Sequence, residues 1–95
     1  MSKVIDGAIQ ALTAKLAGGF DGVAKFVIPG EGSIMLDSAG VREGDDAADV
    51  TLTASTEVFA DLMAGDLSAA SAFMSGKLVV DGSMGLAMKL GAVLG

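Results

Sequence analysis

The sequence predicts an α+β fold, a mainly antiparallel sheet of about five strands covered by helices. Three observations carry that expectation. Apolar residues recur at helical spacing at both ends of the chain, short segments between them alternate strictly, and the alternating segments come in runs instead of one after each helix. One domain over residues 1–95 suits this length, since no linker, repeat or low-complexity segment interrupts it.

Val4, Ile5, Ala8, Ile9, Leu12 and Leu16 form a stripe with Ser2, Lys3, Asp6, Gln10 and Thr13 off it, which is a helix with one buried face. Gly18 and Gly19 stop it. From Phe20 to Ile28 the period becomes two, with Phe20, Gly22, Ala24, Phe26 and Ile28 on one side. Pro29-Gly30-Glu31-Gly32 is turn chemistry, so the next segment, Ser33 to Asp37 with Ile34 and Leu36 inward, completes a hairpin. A short strand falls around Gly40 to Glu43, and Gly44-Asp45-Asp46 turns the chain again. Asp49 to Ala54 alternates with Val50 and Leu52 inward.

Ser55 stands where a helix N-cap belongs, with Glu57 in the first turn and Val58, Phe59, Leu62 and Met63 as the apolar stripe ending at Gly65. Ser68 opens a second short helix, Ala69 to Ser75, closed by Gly76. Lys77 to Asp81 is the last strand, and Gly82-Ser83 leads into a terminal helix, Met84 to Leu94.

Composition removes whole classes of chemistry. The chain has no His, Cys, Trp or Tyr, so imidazole acid/base catalysis, thiol nucleophiles, the usual zinc ligands and disulfides are absent, and no enzyme activity, cofactor or metal is expected. Six basic against twelve acidic residues give a net charge of −6, which repels nucleic acid and anionic membrane surfaces. The longest charge-free stretch, Leu67 to Gly76, has ten residues, too few for a membrane-spanning helix. The start, Met1-Ser2-Lys3, leads into an amphipathic stretch containing Asp6 rather than a secretory signal, so a cytoplasmic setting is expected.

A surplus of oily side chains is what composition leaves over. Hydrophobic residues make up 52% of the 95 positions and 14 more are Gly, well above the roughly 45–50% usual for both together. So small a chain buries only somewhat over ~60% of its unfolded surface. The terminal helix concentrates the problem. On a helical wheel Leu86, Leu90, Val93 and Leu94 form one arc, while Met84, Met88, Ala87 and Gly91 form a second, with Lys89 the only charge. One arc suits a sheet; the methionine arc suits a partner of variable shape. Met35, Met63 and Met74 add adaptable surface. From the residues alone that second arc is ordinary core, a dimer face, or the wall of a cavity for an apolar guest.

The runs Ala48-Asp49-Val50-Thr51-Leu52-Thr53, Met63-Ala64-Gly65-Asp66-Leu67, Ala72-Phe73-Met74-Ser75-Gly76-Lys77-Leu78 and Asp81 to Leu90 resemble the sterol carrier protein 2, or nonspecific lipid-transfer, domain family, with Ala72 to Leu90 the most specific part. The resemblance implies a five-stranded α+β fold with an apolar ligand tunnel. It implies noncatalytic binding of fatty acids, fatty acyl-CoA, phospholipids or sterol- and isoprenoid-like lipids. Carried onto matching positions, it implies a lining of Phe59, Leu62 and Met63 from the middle helix, Phe73 and Met74 before the last strand, and Met84, Met88 and Leu90 on the final helix. The partner expected is thus a small hydrophobic ligand, with transient membrane contact and no nucleic acid. The alternative is a protein-interaction module or homodimer, accessory to a lipid or quinone biosynthetic enzyme and holding no ligand. Ala92-Val93-Leu94-Gly95 is no peroxisomal tripeptide.

Other constellations carry less. Asp45, Asp46 and Asp49 lack the ligand alternation of a calcium loop and read as a solvated turn. Gly76-Lys77 and Gly30/Gly32 lack the remaining residues of phosphate and dinucleotide fingerprints. Lys89, beside the methionine arc, is the cation nearest a cavity mouth, although an ordinary exposed lysine is the simpler reading.

Overall fold

A computed structural model describes residues 3–17 and 19–94. Met1 and Ser2 of the N-terminal reading, Gly18 of the first helix stop, and Gly95 lie outside the described residues. The element order is α1 (Lys3–Lys15), β1 (Ala24–Ile28), β2 (Gly32–Asp37), β3 (Gly40–Glu43), β4 (Val50–Ala54), α2 (Thr56–Ala64), α3 (Ala69–Met74), β5 (Leu78–Gly82) and α4 (Met84–Leu94). Every expected element is present. The first strand starts later than its alternation suggests, because Gly19 and Gly22 take φ of +83° and +131°, values a regular strand does not use. Phe20 is nevertheless buried, its N–H donating to the Asp37 carbonyl at 2.9 Å.

The strands form one sheet in the order β3-β2-β1-β4-β5. Three neighbouring pairs are antiparallel; the central pair, β1 with β4, is parallel. Alternation in sequence becomes one apolar face in space. Phe26 lies opposite Ile34 on one side and Leu52 on the other, and Leu52 lies opposite Val80. Over this face α1 contributes Ile5, Ala8 and Leu12, α2 contributes Phe59 and Leu62, α3 contributes Ala72, and α4 contributes Ala87, Leu90 and Leu94. All helices share this face, α1 towards β2 and β3, α4 towards β4 and β5.

The parallel pair requires a crossover from β3, at one edge, to β4, beyond β1. Residues 44–49 make it on the face away from the helices. The Gly44 N–H donates to the Ser33 carbonyl at 3.1 Å, Lys25 Nζ meets Asp45 Oδ1 at 2.9 Å, and the Asp49 N–H donates to the Val23 carbonyl at 2.9 Å. Met35 points to this face and is buried there, so close to Gly44 that a Cβ at 44 would lie 3.0 Å from its Cγ. Met35 is therefore covered by the strap and adds nothing to the adaptable surface the composition suggested. Asp45 is held in an ion pair, and no group of three or more acidic side chains is placed to hold a metal ion among the described residues.

Candidate functional site

Serines start the three helices that follow β4, and they set the geometry of the site. Ser55 Oγ accepts from the Val58 N–H at 3.2 Å, Ser68 Oγ from the Ser71 N–H at 3.1 Å, and Ser83 Oγ from the Leu86 N–H at 3.3 Å. Each satisfies an N–H that the first helical turn leaves without an intrahelical partner. Gly65, left-handed at φ +81°, ends α2 and lets the chain turn into α3. Gly76, at φ +78°, returns it into β5. As a result α3 and α4 stand side by side over β4 and β5.

Between them lies an apolar groove with a cavity volume of about 590 Å³. Its floor is Leu52, Leu78 and Val80; α3 supplies Ala69, Ala70, Phe73 and Met74, with Ser68 at its start; α4 supplies Met84, Ala87, Met88, Gly91 and Ala92. Among the described residues no charged side chain lines it, and Ser68 is the only polar one. Small residues create the space. The two helices approach so closely that a Cβ on Gly91 would sit 3.2 Å from Ala69 Cβ, while Ala70 and Ala92 leave room beside that contact. At the rim Phe73, Met74, Met84 and Met88 are exposed, four of the six large exposed hydrophobics among the described residues. The surplus apolar surface thus has an address. A volume of this size lies within the roughly 300–1,000 Å³ of small-molecule pockets, which are mostly apolar with few polar groups.

Of the expected lining, the structure brings together Phe73, Met74, Met84 and Met88. Phe59, Leu62 and Leu90 are instead part of the packed core. Met63 is half-buried against that core and does not line the groove. The reason is rotational: Phe59 and Leu62 occupy the face of α2 that meets the sheet, and Leu90 occupies the opposite arc of α4 from Met88. Within that branched arc Leu90 and Leu94 are buried as expected, but Val93 is exposed. Ala69, Ala70 and Ala92 also line the groove, with no hydrophobic stripe to mark them. Their signal was smallness, a set of short side chains on two helices where bulky ones would have closed the gap.

Charges stand apart from the groove. Lys89 meets Asp21 at 3.6 Å in an exposed pair and is not in the lining. Asp37, at the end of β2, accepts from Arg42 Nη1 at 2.8 Å and from the Ala39 N–H at 2.9 Å, which holds its carboxyl below the usual carboxylate range. A second depression, walled by Thr53, Ser55, Glu57, Lys77 and Val79, brings no convergent chemistry together.

Four helices on one face of a mostly antiparallel sheet, with a charge-free groove under the last of them, define an α+β protein of the hydrophobic-pocket class. The chain belongs to the SCP-2 sterol transfer family, whose model matches residues 5–95. It is 49% identical over 65 residues to peroxisomal multifunctional enzyme A of Dictyostelium discoideum, covering 68% of this chain and 14% of that protein. It is 39% identical over 82 residues to hydroxysteroid dehydrogenase-like protein 2 of Xenopus laevis, covering 78% of this chain and 20% of that one. Human sterol carrier protein 2 is 44% identical over 61 residues, 64% of this chain and 10% of the relative. The chain thus spans a fifth or less of the length of these relatives. Among solved structures, sterol carrier protein 2 like 2 from Aedes aegypti superposes with a TM-score of 0.81 at 25% identity over 95% of each chain. Sterol carrier protein 2 from the same mosquito, in complex with the C16 fatty acid palmitate, gives 0.78 at 25% identity over 99% of this chain and 96% of that one.

Proposed function

We propose that the chain is a lipid-binding domain that holds the apolar part of a fatty acid, acyl-CoA, phospholipid or sterol-like lipid in the groove between α3 and α4, without catalysis of its own. The observation that carries this reading is the charge-free cavity of about 590 Å³, rimmed by exposed Phe73, Met74, Met84 and Met88. Burial of the guest's hydrocarbon supplies the affinity, at roughly 25 cal/mol per Å² removed from water. Apolar area distinguishes one chain from another poorly, and the flexible methionine rim refits around each, so a broad range of lipids is accommodated. The bound palmitate of the mosquito relative supports the ligand class.

Entry proceeds by displacement of α4, whose Gly85 and Gly91 each weaken the helix by up to about 1 kcal/mol relative to Ala. Contact with a membrane is transient and occurs while the groove is open. A cytoplasmic setting belongs to the same proposal, although one relative carries a peroxisomal name. The relatives named as enzymes are far longer chains, and in this reading the matched part handles lipid beside their catalytic parts.

Native mass spectrometry of freshly purified protein tests the reading. Monomers carrying lipid mass that delipidation removes are expected. Empty dimers would replace it with an interaction module whose rim packs against a second copy.

A further inference from the structure

We infer that the groove carries a modification site: Met74, Met84 and Met88 are oxidised selectively by hydroperoxides, and their sulfoxides close the groove to lipid. The inference rests on the lipid-binding reading for its consequence, but not for its chemistry.

The chain has six methionines and no cysteine, so thioethers are the side chains most open to mild peroxide. Their environments differ sharply. Met74, Met88 and Met84 are 86%, 73% and 46% exposed and all line the groove, whereas Met35 is 1% exposed beneath the Gly44 strap. Met63 packs against the core. Among the described methionines, a hydroperoxide therefore meets the three groove sulfurs first.

In the step itself the sulfur lone pair attacks one peroxide oxygen. The S–O bond forms as the O–O bond breaks, sulfur loses two electrons, and the departing oxygen takes a proton and leaves as water, or as an alcohol from an organic hydroperoxide. Each product sulfoxide places a strong dipole on a wall where Ser68 is the only polar side chain. A guest covering that wall leaves the dipole unsolvated and without a partner, so affinity falls roughly tenfold for each covered sulfoxide. The same guest shields the sulfurs, so occupancy and oxidation oppose one another.

The experiment treats the whole chain with dilute hydrogen peroxide, with and without palmitate, removes the peroxide, and follows two readouts. Peptide mass spectrometry measures oxygen addition at each methionine, and titration with NBD-labelled stearate measures affinity. Oxidation at Met74, Met84 and Met88 at least ten times faster than at Met35, slowed by palmitate and accompanied by at least a tenfold loss of affinity, is expected. Comparable rates at Met35, or full sulfoxide formation at the three sites with unchanged affinity, overturns the inference and leaves lipid binding standing. An untreated chain that fails to bind NBD-stearate overturns both. In the combined Met74→Leu, Met84→Leu, Met88→Leu variant, which keeps Met1, Met35 and Met63, affinity before and after peroxide is expected to be equal, whatever its starting value. A further drop there assigns the effect to other sulfurs and overturns the inference.

Discussion

Phe26 of β1 and Phe59 of α2 meet edge to face, ring centroids 4.8 Å apart and planes at 81°. Phe26 is on the middle strand of the sheet, so this contact ties α2 to the centre of the core. A pair of this geometry adds roughly 0.5–1.5 kcal/mol beyond the area it buries.

Phe59→Ala removes that ring from a packed interior. It is expected to lower stability by about 3–5 kcal/mol in urea unfolding, the range for large-to-small aromatic changes in cores. A loss below about 1 kcal/mol would show that Phe59 is not the anchor its burial describes.

Met88→Asp acts on the rim instead. Because Met88 is largely exposed, thermal stability is expected to change by no more than about 0.5 kcal/mol. Affinity for NBD-stearate is expected to fall at least about tenfold, since a carboxylate would stand against the guest's hydrocarbon. Unchanged affinity would remove α4 from the binding wall.

Gly91→Leu tests the space itself. Its side chain points at Ala69, where even a Cβ would stand 3.2 Å away, so the added branch fills the groove or parts the two helices. Circular dichroism is expected to keep its helical signal while lipid carried through purification decreases. Retained lipid at wild-type stoichiometry would place the guest elsewhere.

Gly82→Ala addresses the backbone. Gly82 holds φ at +110°, and a Cβ there would collide with the carbonyl oxygen of Asp49. That oxygen already accepts from the Ser83 N–H at 2.9 Å and is held in place. A loss of about 1–3 kcal/mol in unfolding free energy is expected. A neutral result would mean that the β4–β5 end relaxes freely.

The Asp37 carboxyl, held low by Arg42 and the Ala39 N–H, contributes stability above the ordinary carboxylate range, and loses it as pH falls through its depressed folded-state value. Asp37→Asn is therefore expected to be less stable than wild type at neutral pH, with the two curves converging in strong acid. A constant difference across the whole range would remove the ionic contribution. Added salt is expected to narrow the neutral-pH gap, because Arg42 is half exposed.

Much of this fold was legible from period alone. The alternation of Val50 and Leu52, the serine starts at Ser55 and Ser68, and the glycine stops at Gly65 and Gly76 are local signals with local causes. The parallel pairing of β1 with β4 was not legible, since register between distant strands depends on the crossover and leaves no mark in either strand. The lining of the groove was half legible. Met84 and Met88 stood out because an oily arc on a helix that already has one needs a second neighbour. Phe59, Leu62 and Leu90 were misplaced because a core residue and a wall residue have the same hydrophobicity and differ only in rotation about the helix. Ala69, Ala70 and Ala92 went unread because a cavity is made by side chains that are missing.

Among the described residues, all that line the groove come from Leu52 to Ala92, on the later side of the crossover. The earlier segment, α1 through β3, braces the sheet from one flank and, among the described residues, contributes none of the groove lining. Substitutions in the opening forty-odd positions therefore reach the groove through the shared β1–β4 seam and the contacts of α1 with α2 and α4, and bear on durability before they bear on the shape of the groove.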